Sequence, residues 1–215
     1  MTPMGIIARN KYSLLLVSCM LIIVTAPIKG NTWITMLTLT FNILAGLVTI
    51  HGRTNRHAMA IRFIGITTIL FQGVNLLFES ELMADFLPLF YISYFIIISF
   101  TVYRDIYKAV EIDIEMIAAV FCGFIMLGLL TSFTFGVIES LVPNSFSGLS
   151  NDGRPFPDLV YFSFISLLTI GYGDMSPVTD MAKTASIVAG LIGQFYTVFV
   201  TGIVIGKFLS GNTRS

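Results

Sequence analysis

The interpretation of this chain rests on six consecutive residues, Thr169-Ile170-Gly171-Tyr172-Gly173-Asp174. In an ordinary extended strand, successive carbonyl groups point to opposite sides. A row of carbonyls that all face one axis requires backbone angles that alternate between right- and left-handed regions, and glycine adopts a positive φ without a steric penalty. Gly171 and Gly173 stand at alternate positions, where that geometry needs them. The hydroxyl group of Thr169 adds one further oxygen at the inner end of the row.

This string resembles the signature of the tetrameric potassium channels. In that family, four copies of such a loop surround one axis, and their carbonyl oxygens replace the hydration shell of K⁺. The resemblance implies an ion-selectivity filter, with the ring of Tyr172 turned outward. The filter would comprise Thr169, Ile170, Gly171, Tyr172 and Gly173, the first four of which would bind K⁺. Because one strand cannot surround an ion, we also expect a homotetramer, in which each chain has three identical partner subunits.

Composition places the chain in a membrane. Of its 215 residues, 55% are hydrophobic and 11% are charged, and the mean hydropathy is +0.88. A soluble domain carries about 25% charged residues. We therefore predict an integral membrane protein with the lipid bilayer as a partner. The net charge of zero gives no reason to expect nucleic acid. Cys19 and Cys122 lie in apolar runs and are interpreted as buried hydrophobic residues, not as a disulfide or metal site.

The apolar segments predict an all-α fold. A helix needs about 20 apolar residues to cross roughly 30 Å of hydrocarbon. Six segments are predicted to span the membrane, with a kink expected at Pro88 in the fourth. They cover residues 12–28, 33–50, 58–78, 82–102, 114–138 and 182–209. Together with a re-entrant pore helix and an extended filter, they define an integral membrane protein with six transmembrane helices.

Basic residues predict the orientation of these spans. Nine fall on one side of a six-span arrangement, and the other three on the opposite side. The larger group is Arg9, Lys11, Arg53, Arg56, Arg62, Arg104, Lys108, Lys207 and Arg214; the smaller is Lys29, Arg154 and Lys183. By the positive-inside rule, both termini are cytoplasmic. We expect a multi-pass protein of the cell (inner) membrane, and the resemblance to bacterial six-span channels suggests a prokaryotic source.

The segment before the signature predicts a re-entrant helix. Residues 158–168 are apolar and uninterrupted, begin at the favourable first-turn residue Asp158, and are too few to span the bilayer. A helix entering from outside directs the negative end of its dipole into the membrane, where it favours a cation. Residues 169–173, if extended, cover roughly 13–16 Å. A water-filled cavity lined by the sixth span must cross the remaining depth, because non-helical backbone is tolerated only beside such a cavity or inside protein.

The resemblance extends over residues 114–209 and assigns supporting roles. Tyr161 and Phe162 correspond to an aromatic pair that packs around the filter. Asp174 follows the filter, and the Tyr161 hydroxyl is its expected partner. Gly193 corresponds to an inner-helix glycine proposed as a gating hinge, while close helix packing is the alternative reading of a small residue there. Some family members carry a glutamate behind the filter, and Ile165 stands at that position.

Three polar residues lie at helical spacing on one face of the sixth span: Gln194, Thr197 and Thr201. Polar groups inside a membrane usually face the protein interior or water, so we expect them to line the cavity. The alternative is that the threonine hydroxyls bond their own backbone one turn back.

Residues 1–110 are predicted to form a peripheral, sensor-like four-helix bundle, and residues 111–215 the pore domain. The fourth span has no Lys or Arg between positions 83 and 102. Steep voltage gating uses about 3–4 charges per subunit. We therefore predict a voltage-independent channel. Glu111, Asp113 and Glu115 could bind a divalent ion or belong to a solvated helical linker.

The leading functional prediction is a K⁺-selective channel that conducts passively and needs no cofactor except the K⁺ ions in its filter. A weakly selective cation channel is the nearest alternative, although the Gly-Tyr-Gly core is intact. A K⁺-uptake transporter carries four degenerate loops in one chain, whereas this chain carries one complete loop. A non-conducting membrane scaffold or regulatory subunit is a further alternative. No nucleophile–base set, phosphate loop or metal motif indicates an enzyme.

Overall fold

A computed structural model describes residues 10–28, 32–78, 81–109, 113–150 and 155–212. This part of the chain is mostly helical. Seven helices run in the order α1 (Lys11–Thr25), α2 (Thr32–Thr49), α3 (Arg56–Phe78), α4 (Glu81–Lys108), α5 (Ile114–Leu141), α6 (Pro155–Leu167) and α7 (Asp180–Asn212). Two short strands, β1 (Phe146–Ser147) and β2 (Ser176–Pro177), pair in an antiparallel sheet.

Among the described residues, four helices are long and apolar enough to cross a membrane. They are α3, the Phe86–Lys108 part of α4, α5, and the Asp180–Lys207 part of α7, while α1 and α2 are apolar but shorter. Helix α1 has 15 residues, or about 22 Å of length, less than the roughly 30 Å of hydrocarbon. Pro27 follows shortly after α1, and proline cannot continue a helix. The all-α membrane fold is confirmed, and the count of six spans stays a prediction.

The end of α4 and the start of α6 differ from the predicted boundaries. Helix α4 continues to Lys108 instead of ending near residue 102, because Ile106 is buried in the core and Asp105 is paired with Arg53. Helix α6 begins at Pro155 instead of Asp158. Proline is tolerated in the first turn of a helix, where its missing N–H has no intrahelical partner to lose.

The hydrophobic core has two parts. The larger part joins α1–α4 to α5 and includes the fully buried rings of Tyr94 and Phe95. Cys19 and Cys122 are buried there as free thiols, with their sulfur atoms 4.0 Å apart, as the composition indicated. The smaller part joins α5, α6 and α7 to the segment after residue 174, with Phe162 at its centre. This second core fixes α6 relative to the two long helices beside it.

An ion-pair network joins α1, α4 and the loop before α3. The guanidinium of Arg53 donates two hydrogen bonds to the carboxylate of Asp105, at 2.5 and 3.1 Å. The hydroxyl of Tyr12 donates to the same carboxylate. Three elements that are distant in sequence therefore share one acceptor, which we call the Asp105 network.

Acidic residues near the start of α5 act as helix caps. Asp113 accepts a hydrogen bond from the Met116 amide at 2.8 Å and so caps α5. Glu115 accepts from the Tyr12 amide at 2.9 Å and from the Ser13 hydroxyl, and so caps α1. Glu111 lies outside the described residues. Within those residues, no group of three or more His, Cys, Asp or Glu side chains could hold a metal ion. Asp113 and Glu115 are occupied by protein hydrogen bonds.

Candidate functional site

The segment after α6 has an alternating backbone. The φ angles of Thr169, Gly171 and Gly173 are +58°, +56° and +81°, so every second residue is left-handed. This is the alternation that the glycine spacing predicts. The positive φ of Thr169 was not predicted, because a β-branched residue rarely adopts it. Such a conformation persists only where the surrounding structure holds it.

The end of α6 provides that support. The amide of Thr169 donates to the Ser166 carbonyl at 3.1 Å, and the amides of Ile170 and Gly171 donate to the Ile165 carbonyl at 2.8 and 3.2 Å. These bonds use carbonyls at the helix C-terminus that have no intrahelical partner. Within the described part of the chain, no hydrogen bond is donated to the carbonyl oxygens of residues 169–173. The amides of residues 169–171 therefore donate to α6, while the carbonyl oxygens of the segment stay available for a ligand.

Two side chains of α6 contact the surroundings of this segment in different ways. The hydroxyl of Tyr161 donates to the Asp174 carboxylate at 2.7 Å, which is the expected contact. The other carboxylate oxygen accepts from the Met175 amide at 3.1 Å. Phe162 is buried between the rings of Phe135 and Phe146, with centroids 5.4 and 5.5 Å away. Phe162 therefore packs α6 onto α5 and β1, while Tyr161 contacts the residue that follows the alternating segment.

The loop between α5 and α6 supports the outer end of the segment. Strand β1 pairs with β2, which follows Asp174 by two residues. Gly148 has a φ of +83°, and a Cβ atom there would lie 2.4 Å from the backbone oxygen of Asp174. The carboxylate of Glu139 accepts from the amides of Asn144 and Phe146, at 2.8 and 3.2 Å. The sequence predicted only an exposed loop here. The glycine at position 148 is the sequence feature that could have indicated a close approach of two backbone segments.

Helix α7 carries the remaining predicted residues. A Cβ atom on Gly193 would lie 2.6 Å from Cδ2 of Leu167, so α7 packs closely on the end of α6 and a larger residue there would displace the Leu167 side chain. Gln194 and Thr197 are exposed on this chain, and the Thr197 hydroxyl donates to the Gly193 carbonyl at 3.0 Å. The side chain of Thr201 lies outside the described residues. Both alternatives raised by the sequence are thus present: close helix packing at Gly193, and a hydrogen bond from the Thr197 hydroxyl to its own helix backbone.

Comparison with known proteins identifies the class of this segment. Residues 124–210 match the family described as "Ion channel". Two pore potassium channel c of Oryza sativa subsp. japonica is 38% identical over 78 residues, which are 35% of this chain and 17% of the relative. Two-pore potassium channel 4 of Arabidopsis thaliana is 35% identical over 86 residues, which are 40% of this chain and 30% of the relative. The chain thus spans less than a third of either relative, and no solved structure matches it significantly.

These matches confirm the resemblance drawn from the sequence. The match over residues 124–210 makes this segment similar to ion channels, and the relatives support a likeness to the potassium channel superfamily. The matches and the long apolar helices thus make the chain similar to multi-pass membrane channels, and the matched family is one of channels and not of enzymes.

The expected subunit partners are wrong. The curated relatives, which include Two-pore potassium channel 5 of Arabidopsis thaliana (35% identical over 78 residues, 35% of this chain and 19% of the relative), are all named for two pores. This finding overturns the homotetramer with three identical partner subunits. The geometric argument fixes how many pore segments surround an ion, and it does not fix how many chains carry them. The relatives are also plant proteins and lend no support to a prokaryotic source.

Proposed function

We propose that this chain conducts K⁺ selectively and passively, with residues 169–173 as its ion-selectivity filter. The observation that carries the proposal is the left-handed φ at Thr169, Gly171 and Gly173, combined with carbonyl oxygens that accept no protein hydrogen bond within the described residues. A dehydrated K⁺ needs a row of such oxygens. In this proposal Thr169, Ile170, Gly171 and Tyr172 bind the ion, and no resident cofactor is required. The potassium channel relatives support the choice of ion.

The position of α6 suits a cation. The C-terminal end of a helix carries a partial negative charge, and the alternating segment begins directly after α6 ends. The side chains of Ile170 and Tyr172 are exposed, by 47% and 72%. An apolar and an aromatic side chain at this surface are suited to contact with further pore segments. Those segments and the one described here together surround the pore.

The inner half of the pathway is assigned to α7. We propose that Gln194, Thr197 and Thr201 line a water-filled cavity below the filter, since Gln194 and Thr197 lie on a surface that this chain leaves uncovered. Gly193 is a candidate hinge, and bending there must separate α7 from Leu167, which fills the space beside the glycine. Asp174 and Tyr161 are proposed to hold the outer end of the filter.

The arrangement in the membrane belongs to the same proposal. Residues 1–110 form a peripheral bundle and residues 111–215 the pore domain, with six spans and both termini in the cytoplasm. The Asp105 network supports this orientation, because it places Arg53 and the start of α1 beside the end of α4 that carries Arg104 and Lys108. Basic residues are enriched on the cytoplasmic side of membrane proteins.

Ion flux through the purified full chain in liposomes tests the function. With K⁺ on one side and Na⁺ on the other, we expect a current whose reversal potential lies close to the K⁺ equilibrium potential. A reversal potential near zero would identify a weakly selective cation channel instead. Absence of flux under every condition would identify a non-conducting scaffold or regulatory subunit.

Conductance is expected to depend only weakly on voltage. Helix α4 has no Lys or Arg between positions 83 and 102, and the carboxylate of Asp105 near its end is held by Arg53. Each charge that crosses the field contributes about 2.3 kcal/mol per 100 mV, and steep gating uses about 3–4 charges per subunit. Macroscopic currents from the liposome-reconstituted chain should give a slope of less than about one charge per subunit. A slope of several charges would contradict the proposal.

Removal of the Tyr161 hydroxyl is expected to weaken the filter. Tyr161→Phe deletes the 2.7 Å hydrogen bond to Asp174 and keeps the ring. Tyr161 is exposed, so solvent screens this bond and the expected effect is modest. Selectivity for K⁺ over Na⁺ should fall by a small factor in reversal-potential measurements, because the Asp174 carboxylate loses a donor. Tyr107→Phe, which removes a hydroxyl from an exposed tyrosine at the other end of the molecule, should leave the ratio unchanged.

A further inference from the structure

Lys207 contacts the end of a helix about 100 residues away in the chain. Its ammonium donates to the backbone carbonyls of Ile106, Tyr107 and Ala109, at 3.0, 2.6 and 2.6 Å. An ammonium has three N–H donors, so all of them are used. The nitrogen also lies 5.9 Å from the centre of the Tyr107 ring. We call this set of contacts the Lys207 clamp.

The acceptors explain why a lysine suits this position. The last carbonyls of an α-helix have no intrahelical partner and carry the negative end of the helix dipole. Helix α4 ends at Lys108, and the clamp satisfies the carbonyls of its last turn and of Ala109. A charged donor that is supplied by α7 therefore completes α4. Since the acceptors belong to the backbone, the three hydrogen bonds do not depend on the identity of the α4 side chains.

The clamp is one of two attachments on the same side of α7. Tyr196 precedes Lys207 by 11 residues, or about three helical turns, and so shares its face. The Tyr196 hydroxyl donates to the Val120 carbonyl of α5 at 2.6 Å, and its ring lies 5.4 Å from the ring of Tyr103 in α4. Other faces of α7 are exposed, with Val198 and Phe199 uncovered by 66% and 60%. Both attachments thus draw α7 toward α4 and α5, away from its exposed faces.

We propose that Lys207 positions the inner end of α7 against the peripheral bundle and thereby favours the conducting arrangement of the pore. This inference rests on the proposed function, in which exposed faces of α7 line the pathway. The 14 residues from Gly193 to Lys207 span roughly 21 Å, so a swing of about 10° displaces the inner end by about 4 Å. Loss of the clamp allows that displacement toward the pathway. Helix α4, which has no Lys or Arg between positions 83 and 102, then acts as a fixed anchor for α7.

Single-channel recordings of the full chain test the clamp. Lys207→Ala and Lys207→Met remove the three donors, and the open probability should fall about tenfold, the scale set by hydrogen bonds from a charged donor. Unitary current and the K⁺/Na⁺ permeability ratio should not change, because the filter is untouched. Lys207→Arg should restore much of the open probability, since a guanidinium also donates to carbonyls. Lys183→Ala is the matched control, because Lys183 lies on the same helix and, among the described residues, its ammonium has a single ion pair, with Asp180 at 3.9 Å.

A labelling experiment on the unaltered chain tests the contact without any variant. Lys207 should react with an amine-directed acylating reagent at least about tenfold more slowly than Lys183, because its ammonium is held by three acceptors. Mass spectrometry of the protein in permeabilised vesicles measures both rates. Equal rates, or an unchanged or raised open probability in Lys207→Ala and Lys207→Met, would overturn the clamp. Absence of K⁺ flux in the unaltered chain would count against the proposed function instead.

Discussion

Selective K⁺ flux should fall by at least about 100-fold when Gly171 is replaced with alanine. This fall corresponds to a permeation barrier that is higher by about 2.7 kcal/mol. Gly171 has a φ of +56°, a conformation that costs an L-residue roughly 1–2 kcal/mol. A Cβ atom there meets no heavy atom of the described residues within 4 Å, so the strain does not come from a clash with them. Relaxing the strain rotates the adjacent peptide group, and its carbonyl oxygen then no longer points in the same direction as the others in the row.

Gly52→Ala is the matched control for this result. Gly52 also has a positive φ, +76°, and in the part of the chain that the structure describes no heavy atom lies within 4 Å of an added Cβ. It lies in the loop between α2 and α3, so alanine introduces a similar backbone strain far from the filter. Tracer uptake of Rb⁺ into liposomes and reversal potentials should show a near-normal channel. An unchanged flux in Gly171→Ala, or an equal loss in both variants, would contradict the filter assignment.

Asp105→Ala should lower the free energy of unfolding by about 2–3 kcal/mol. The substitution leaves the Arg53 guanidinium and the Tyr12 hydroxyl without their shared acceptor. Breaking a buried ion pair costs about 3–5 kcal/mol, and we expect less because the Asp105 and Arg53 side chains are 15% and 28% exposed. For a chain of this size the melting temperature should fall by about 5–10 °C. Thermal unfolding of the detergent-solubilised protein measures this shift.

The ion pair also sets the pH dependence of this effect and its control. Hydrogen bonds to Asp105 raise the pKa of Arg53 above its ordinary value. A group whose pKa rises on folding contributes stability below its unfolded pKa, so the contribution persists through the neutral and mildly basic range. Asp180→Ala removes a fully exposed carboxylate that lies 3.9 Å from Lys183, and its melting temperature should equal that of the unaltered chain. Equal melting temperatures for all three proteins would show that the Asp105 network does not stabilise the bundle.

The sequence predicted the parts of the site that depend on local chemistry. Alternating handedness follows from glycine at positions 171 and 173, and the short helix α6 follows from an apolar run that is too short to span the bilayer. The contact between Tyr161 and Asp174 required a family resemblance as well, because the two residues are 13 positions apart and belong to no shared periodic pattern.

Three features could not be predicted, each for a physical reason. The left-handed Thr169 is held by hydrogen bonds to the end of α6, which override its own conformational preference. The approach of Gly148 to Asp174 and the clamp of Lys207 onto α4 join segments that are about 26 and 100 residues apart. Neither the hydropathy pattern of the sequence nor the spacing of its residues indicates such contacts. The predicted number of chains was wrong because the geometric argument counts the pore loops around an ion and not the chains that carry them.

The deep burial of both native thiols has a practical consequence. Cys19 and Cys122 are enclosed between α1 and α5, with no accessible sulfur surface. A polar maleimide dye will therefore attach to a cysteine engineered on the exterior and ignore the two natural ones. Fluorescence spectroscopy of inner-helix movement can proceed on the natural background, without first constructing a cysteine-less variant.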